Sequence, residues 1–92
     1  MQTKSSAVSA KVVQVIDGDT FKTAYVIRLA DVDAPELDEP GGPAAKRELE
    51  RLIGGKDITY EEKARDVYGR IVAQVWVNGI DVNAAMRRFL SQ

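Results

Sequence analysis

Apolar and polar positions alternate with a period of two through much of the chain and shift to a period near 3.6 in two later stretches. Lys11 to Ile16 is a β-rich run stopped by Asp17-Gly18, a strong turn signal, and Thr20 to Thr23 resumes extended structure. From Tyr25 to Leu29, Tyr25, Ile27 and Leu29 share one face and Arg28 points to the other. Whether that strand follows a tight turn at Ala24 or continues a bent one stays open. Asp38-Glu39-Pro40-Gly41-Gly42 breaks the pattern, and Pro43 suits the first turn of a helix with an apolar stripe of Ala45, Leu49, Leu52 and Ile53, ended by Gly54-Gly55. Asp57 to Glu62 reads as a strand and Lys63 to Gly69 as a charged turn. Arg70 to Asn78 is the strongest strand, with Ile71, Ala73, Val75 and Val77 on one face. Asn78-Gly79 turns the chain toward a last helix, N-capped by Asp81 and striped by Val82, Ala85, Met86, Phe89 and Leu90.

Four or five strands with one helix inserted late and one at the end predict a mainly β fold, α+β by content. The expected architecture is a five-stranded, partly open barrel of OB type with two helices; an α+β sandwich of helices on a sheet is the alternative. The 92 residues suffice for one core, so 11–92 is expected to form a single domain. Residues 1–10 read as a flexible N-terminal tail, polar and without the apolar segment of a signal peptide. No apolar run approaches the ~20 residues of a membrane span. A soluble protein is expected, with secreted and cytoplasmic locations both open.

Composition then narrows the chemistry. The chain has no cysteine and no histidine, which excludes disulfides, thiolate or imidazole metal sites, and Ser-His-Asp or Cys-His catalysis. A base must be Asp, Glu, Lys or Tyr, and a metal must be a hard, oxygen-liking cation. A net charge of −1 argues against broad electrostatic binding of nucleic acid, so a polyanion would be held locally.

The candidate chemistry lies in three charged segments. Ile27 to Glu36 places Arg28, Asp31, Asp33 and Glu36 at a strand end, and Pro35 stiffens the loop that carries Asp33 and Glu36. Asp17-Gly18-Asp19-Thr20 precedes it, and Asp66-Val67-Tyr68-Gly69-Arg70 follows. Each has a bland reading: Asp19 as a turn former, Arg70 as the partner of a surface ion pair with Asp66 or Glu62, Tyr68 as barrel wall, the acidic loop as solvated.

Read in order, these segments resemble the staphylococcal nuclease family: Asp-Gly-Asp-Thr, then Arg-Leu-x-x-x-Asp-x-Pro-Glu, then Asp-x-Tyr-Gly-Arg, then a strand and Val-Asn opening a helix. The resemblance covers about Lys11 to Phe89. It implies that Asp19 and Asp33 ligate Ca²⁺ together with the Ala34 backbone carbonyl. It further implies that Glu36 activates or orients water, that Arg28 and Arg70 hold the scissile phosphate, and that Tyr68 lines a nucleotide site. The function implied is calcium-dependent hydrolysis of single-stranded or flexible DNA or RNA, leaving 3′-phosphate ends. The chain departs from the pattern at Val67, where a lysine is common, in a short acidic loop after Glu36, and in ending before the further C-terminal helix that family members usually carry. A non-catalytic OB-type module binding oligonucleotide or protein is the rival reading. For the chain under either reading a monomer is expected, with a homodimer as the alternative.

Overall fold

The first extended run breaks in the middle, and that break shapes the barrel. The structure, a computed structural model, describes residues 7–92. Strand β1 is Val8–Lys11 and β2 is Gln14–Asp17, with Val12 and Val13 between them. The Val12 N–H donates to the Lys56 carbonyl and the Val13 N–H to the Lys22 carbonyl, both at 2.9 Å. Successive residues thus bond to opposite neighbours, and the chain passes from one side of the sheet to the other. The expected single run from Lys11 to Ile16 is therefore two strands, and it starts earlier. Val8 to Ala10, expected as the end of a flexible tail, pair with residues 58–60. The rest of the expected tail, Met1 to Ser6, lies outside the described residues.

The other strands are β3 (Thr20–Lys22), β4 (Val26–Leu29), β5 (Asp57–Arg65), β6 (Ile71–Val77) and a two-residue β7 (Ile80–Asp81) beside β6. Their order across the sheet is β1-β5-β6-β4-β3-β2, so the two ends of the path are consecutive pieces of chain. Counting β1 and β2 as one bent strand, β1/β2 through β6 make the expected five-stranded, partly open OB-type barrel. All pairings are antiparallel except that of β4 with β6, which is parallel. The Thr23 hydroxyl and backbone N–H both engage the Tyr25 carbonyl, which makes β3 and β4 a tight hairpin rather than one bent strand.

The alternation in β6 is realised residue by residue: Ile71, Ala73, Val75 and Val77 are buried, and the residues between them are half-buried. They meet Phe21, Ile27, Leu29 and Ile58 in one core. Strand β5 runs on through Lys63, Ala64 and Arg65, which sequence places in a turn. Pairing with residues 71–73 of β6 carries the ladder through a bulge after Glu62, and both faces of this extension are exposed, so its charges remain solvated.

Helix α1 (Gly42–Ile53) has Pro43 in its first turn and buries Ala45, Leu49, Leu52 and Ile53. It packs against β2 and against α2 (Val82–Leu90). A Cβ at Gly18 would lie 2.5 Å from the Ala45 Cβ and 2.8 Å from the Ala34 Cβ, so glycine there lets helix, turn and loop meet. In α2 the Asp81 carboxylate caps the helix by accepting the Ala84 N–H at 2.9 Å. The fully buried Asn83 accepts the Val75 N–H and donates to the Ala30 and Ala73 carbonyls. That pins α2 to the end of β4. Among the described residues no helix is long and apolar enough to cross a membrane.

Candidate active site

Asp19 enters β3 from a tight turn in which the Asp17 carboxylate accepts the Asp19 N–H at 3.1 Å, while the Asp19 carbonyl accepts the Leu29 N–H at 2.8 Å. Its own carboxylate is buried, and each of its oxygens accepts a hydrogen bond. One oxygen accepts the Thr20 hydroxyl at 2.8 Å; the other accepts the Ala34 N–H at 2.9 Å and faces Arg28 Nη2 at 3.4 Å. The same Nη2 lies 3.4 Å from an Asp33 oxygen, and the Asp33 side chain is 98% exposed. Asp19, Arg28, Asp33 and Ala34 are thus gathered at the end of β4. The charged contacts are long, so the backbone bond from Ala34 is the tighter tie.

Glu36, three residues beyond Asp33, is exposed. Its charge is felt at Asp17. Burial raises the Asp17 carboxyl above the ordinary carboxylate value; its hydrogen bond with Asp19 and the negative charges of Asp19 and Glu36 raise it further, against a smaller lowering by the Asp19 N–H. Asp17 is the residue that sequence reasoning undervalued, since an aspartate before glycine has an ordinary explanation as a turn former. Asp17 thus feels the charges of Asp19 and Glu36, while Arg28 faces Asp19 and Asp33.

The second group sits at the tip between β5 and β6. The Asp66 carboxylate accepts the N–H groups of Tyr68 and Arg70 at 3.0 and 2.9 Å and pairs with Arg70 Nε at 2.6 Å. The Arg70 guanidinium lies over the Tyr68 ring, 5.2 Å from its centroid, and Tyr68 is 79% exposed. The bland pairing of Arg70 with Asp66 is therefore present. No hydrogen bond or ion pair joins Tyr68 or Arg70 to the Asp19 group among the described residues. What relates the two groups is the sheet: Arg28 stands beside Val72 in the parallel pair, and Arg70 is the residue just before β6 begins at Ile71.

A metal ion would find hard oxygen donors in Asp19, Asp33 and the Ala34 carbonyl. Asp33 is nearly free in solvent, and a carboxylate offers about four lone-pair sites, so Asp19 keeps acceptor capacity beyond its present bonds. Among the described residues no group of three or more Asp or Glu side chains is gathered closely enough to hold a metal. A cation here would draw on carbonyl and water oxygens as well, which suits the flexible ~6–8 oxygen shell of Ca²⁺. The site is also open. A recess of about 490 Å³ lies elsewhere, between β1 and the β3–β4 turn, lined by Val8, Val13, Tyr25 and Tyr60. The charged groups instead face solvent across the sheet, a surface that admits a polymer more readily than it encloses a small molecule.

Residues 26–88 match the family described as staphylococcal nuclease homologue. An uncharacterized endonuclease of Escherichia coli is 38% identical over 87 residues, which cover 88% of this chain and 57% of that protein. A micrococcal nuclease of Shigella flexneri is 35% identical over 71 residues, 72% of this chain and 41% of the relative. A probable staphylococcal-like nuclease, CAN2, of rice (Oryza sativa subsp. japonica) is 32% identical over 76 residues, 83% of this chain and 21% of the relative. The chain spans about half the length of the bacterial relatives it matches.

Proposed function

Because the chain belongs to the family of staphylococcal nuclease homologues, we propose that it is a nuclease, a calcium-dependent phosphodiesterase acting on single-stranded or flexible DNA or RNA. The observation that carries this reading is the gathering of Asp19, Arg28, Asp33 and Ala34 at the end of β4, with Glu36 exposed in the same loop and Arg70 just before β6, the strand that pairs with β4. Such a set supplies what phosphodiester hydrolysis requires: a carboxylate for water, cations for the phosphate, and oxygen donors for a metal.

Arg28 and Arg70 bind the scissile phosphate, for which a planar guanidinium donating paired hydrogen bonds is well suited. Both must exchange partners to do so. Arg28 leaves two long carboxylate contacts and Arg70 a short one, so Arg28 is the readier donor. Glu36 orients and deprotonates the attacking water, and its exposure lets it reach both water and substrate. Asp19, Asp33 and the Ala34 carbonyl hold Ca²⁺, which when bound polarises a phosphoryl oxygen. Tyr68, exposed at the tip beside Arg70, offers a ring for a base or sugar.

The test is cleavage of a fluorescent single-stranded oligonucleotide in Ca²⁺ and in EDTA, with wild type and Glu36→Gln in parallel. Turnover is expected only with Ca²⁺, with kcat lower by on the order of 10²–10³ in the variant, and mass spectrometry should find 3′-phosphate ends. Full activity in Glu36→Gln would reject the assigned base. Oligonucleotide binding without turnover would return the non-catalytic module.

A further inference from the structure

We propose that Glu39 is a positioning residue for Glu36, a role that rests on the nuclease reading above. By sequence Glu39 is one more solvated carboxylate in an acidic loop. In the structure one of its carboxylate oxygens accepts the Glu36 N–H at 2.8 Å. Its own N–H donates back to the Glu36 carbonyl at 2.9 Å, and its carbonyl accepts the Gly42 N–H at 3.0 Å, tying the clasp to the first residue of α1. The far side of Glu36 is closed by packing: a Cβ at Gly42 would lie 1.9 Å from the Glu36 carbonyl oxygen and 2.9 Å from the Leu37 Cα. Both backbone polar groups of Glu36 are therefore held by one residue, while Pro35 fixes the approach on the N-terminal side.

This matters because Glu36 itself is exposed, so packing around its side chain does not aim it. Its direction comes from its backbone, and the Glu39 side chain supplies the one bond in the clasp that a substitution can delete. A water-activating carboxylate displaced by about 1 Å can cost up to ~10² in rate. The interaction needs only an acceptor oxygen at the end of a side chain of this length. Glutamine provides one and alanine does not.

The experiment compares Glu39→Ala and Glu39→Gln, each alone and in a Glu36→Gln background, by oligonucleotide cleavage in Ca²⁺ and by hydrogen exchange at the Glu36 amide. Glu39→Ala is expected to lower kcat by about 10- to 10²-fold with KM little changed, and Glu39→Gln to restore it. In the Glu36→Gln background Glu39→Ala should change kcat no further, because its effect passes through Glu36. Exchange at the Glu36 amide should accelerate in Glu39→Ala and stay near wild type in Glu39→Gln. Wild-type kcat in Glu39→Ala, an equal loss in the Glu36→Gln background, or unchanged amide exchange would each overturn the proposal. A wild-type protein that cleaves nothing would sink the nuclease reading instead, and the exchange comparison would still decide the clasp.

Discussion

Two aspartates organise the two halves of the site in opposite ways. Asp19 is buried and joins distant parts of the chain, its carboxylate bonded to the Ala34 N–H 15 positions away and facing Arg28 on the neighbouring strand. Asp66 makes as many bonds, yet all of them fall within four residues, to Tyr68 and Arg70. One is a node of the fold; the other shapes a self-contained tip. The same side-chain chemistry thus serves long-range assembly in one place and local presentation in the other, and the two should fail differently.

The largest effects should come from the arginines. Arg28→Ala and Arg70→Ala are each expected to lower kcat on oligonucleotide by on the order of 10²–10³, the usual cost of losing a transition-state donor. Only Arg28→Ala should also lower the urea midpoint, because it leaves the buried Asp19 carboxylate without its cation. Turnover surviving in Arg70→Ala would detach the tip from the chemistry altogether.

Asp19→Ala is the sharper test of the contrast itself. It strands the Ala34 N–H and the Thr20 hydroxyl, and leaving a buried donor unpaired costs about 1–3 kcal/mol. Urea denaturation should register that loss, whereas Asp66→Ala should leave the midpoint almost unmoved while slowing cleavage through a misplaced Arg70. Equal shifts in the two midpoints would dissolve the distinction between node and tip.

The legibility of the chain divides along the same line. The alternation of Ile71 to Val77 and the stripe of α1 are readable because each buries one face, a property of neighbours in sequence. The switch at Val12-Val13 is not, since its cause lies in Lys56 and Lys22, which nothing local announces. Strand β5 outruns its apolar pattern because pairing with β6, rather than burial, sustains Lys63 to Arg65. Asn83 is legible as part of the Val-Asn motif that opens the last helix, but its role is not: it is buried and satisfied by three backbone groups, from β6 and from Ala30 just past β4. At the site, the types and order of Asp19, Arg28, Asp33, Glu36 and Arg70 are legible in the motifs. The bonds that set them, Ala34 to Asp19 and Glu39 to Glu36, are not, because they depend on how turn, loop and helix meet.

The smallest expected effect concerns acid, and here the two halves should move in opposite directions. Burial raises the Asp66 carboxyl, but hydrogen bonds from the Arg70 N–H and guanidinium and the Tyr68 N–H, with the Arg70 charge, outweigh it and leave the net value below the ordinary 3.8. A carboxylate lowered on folding contributes stability that is fully present above the unfolded value and is lost as pH falls through the folded one. The tip should therefore hold its shape at pH 4 and loosen only below the ordinary carboxylate range. Asp17, raised on folding, has the reverse sign: its contribution is complete below the unfolded value and disappears as pH rises through the raised folded one. Acidification should thus relieve crowding at the Asp17–Asp19 turn before it releases the tip. Following the backbone amides of Asp19 and Arg70 by NMR from pH 6 downward separates the two, with the Asp19 amide titrating first. An Arg70 amide that titrates at or above the ordinary value would show that Asp66 does not anchor the tip, and the contrast between the two aspartates would lose its local half.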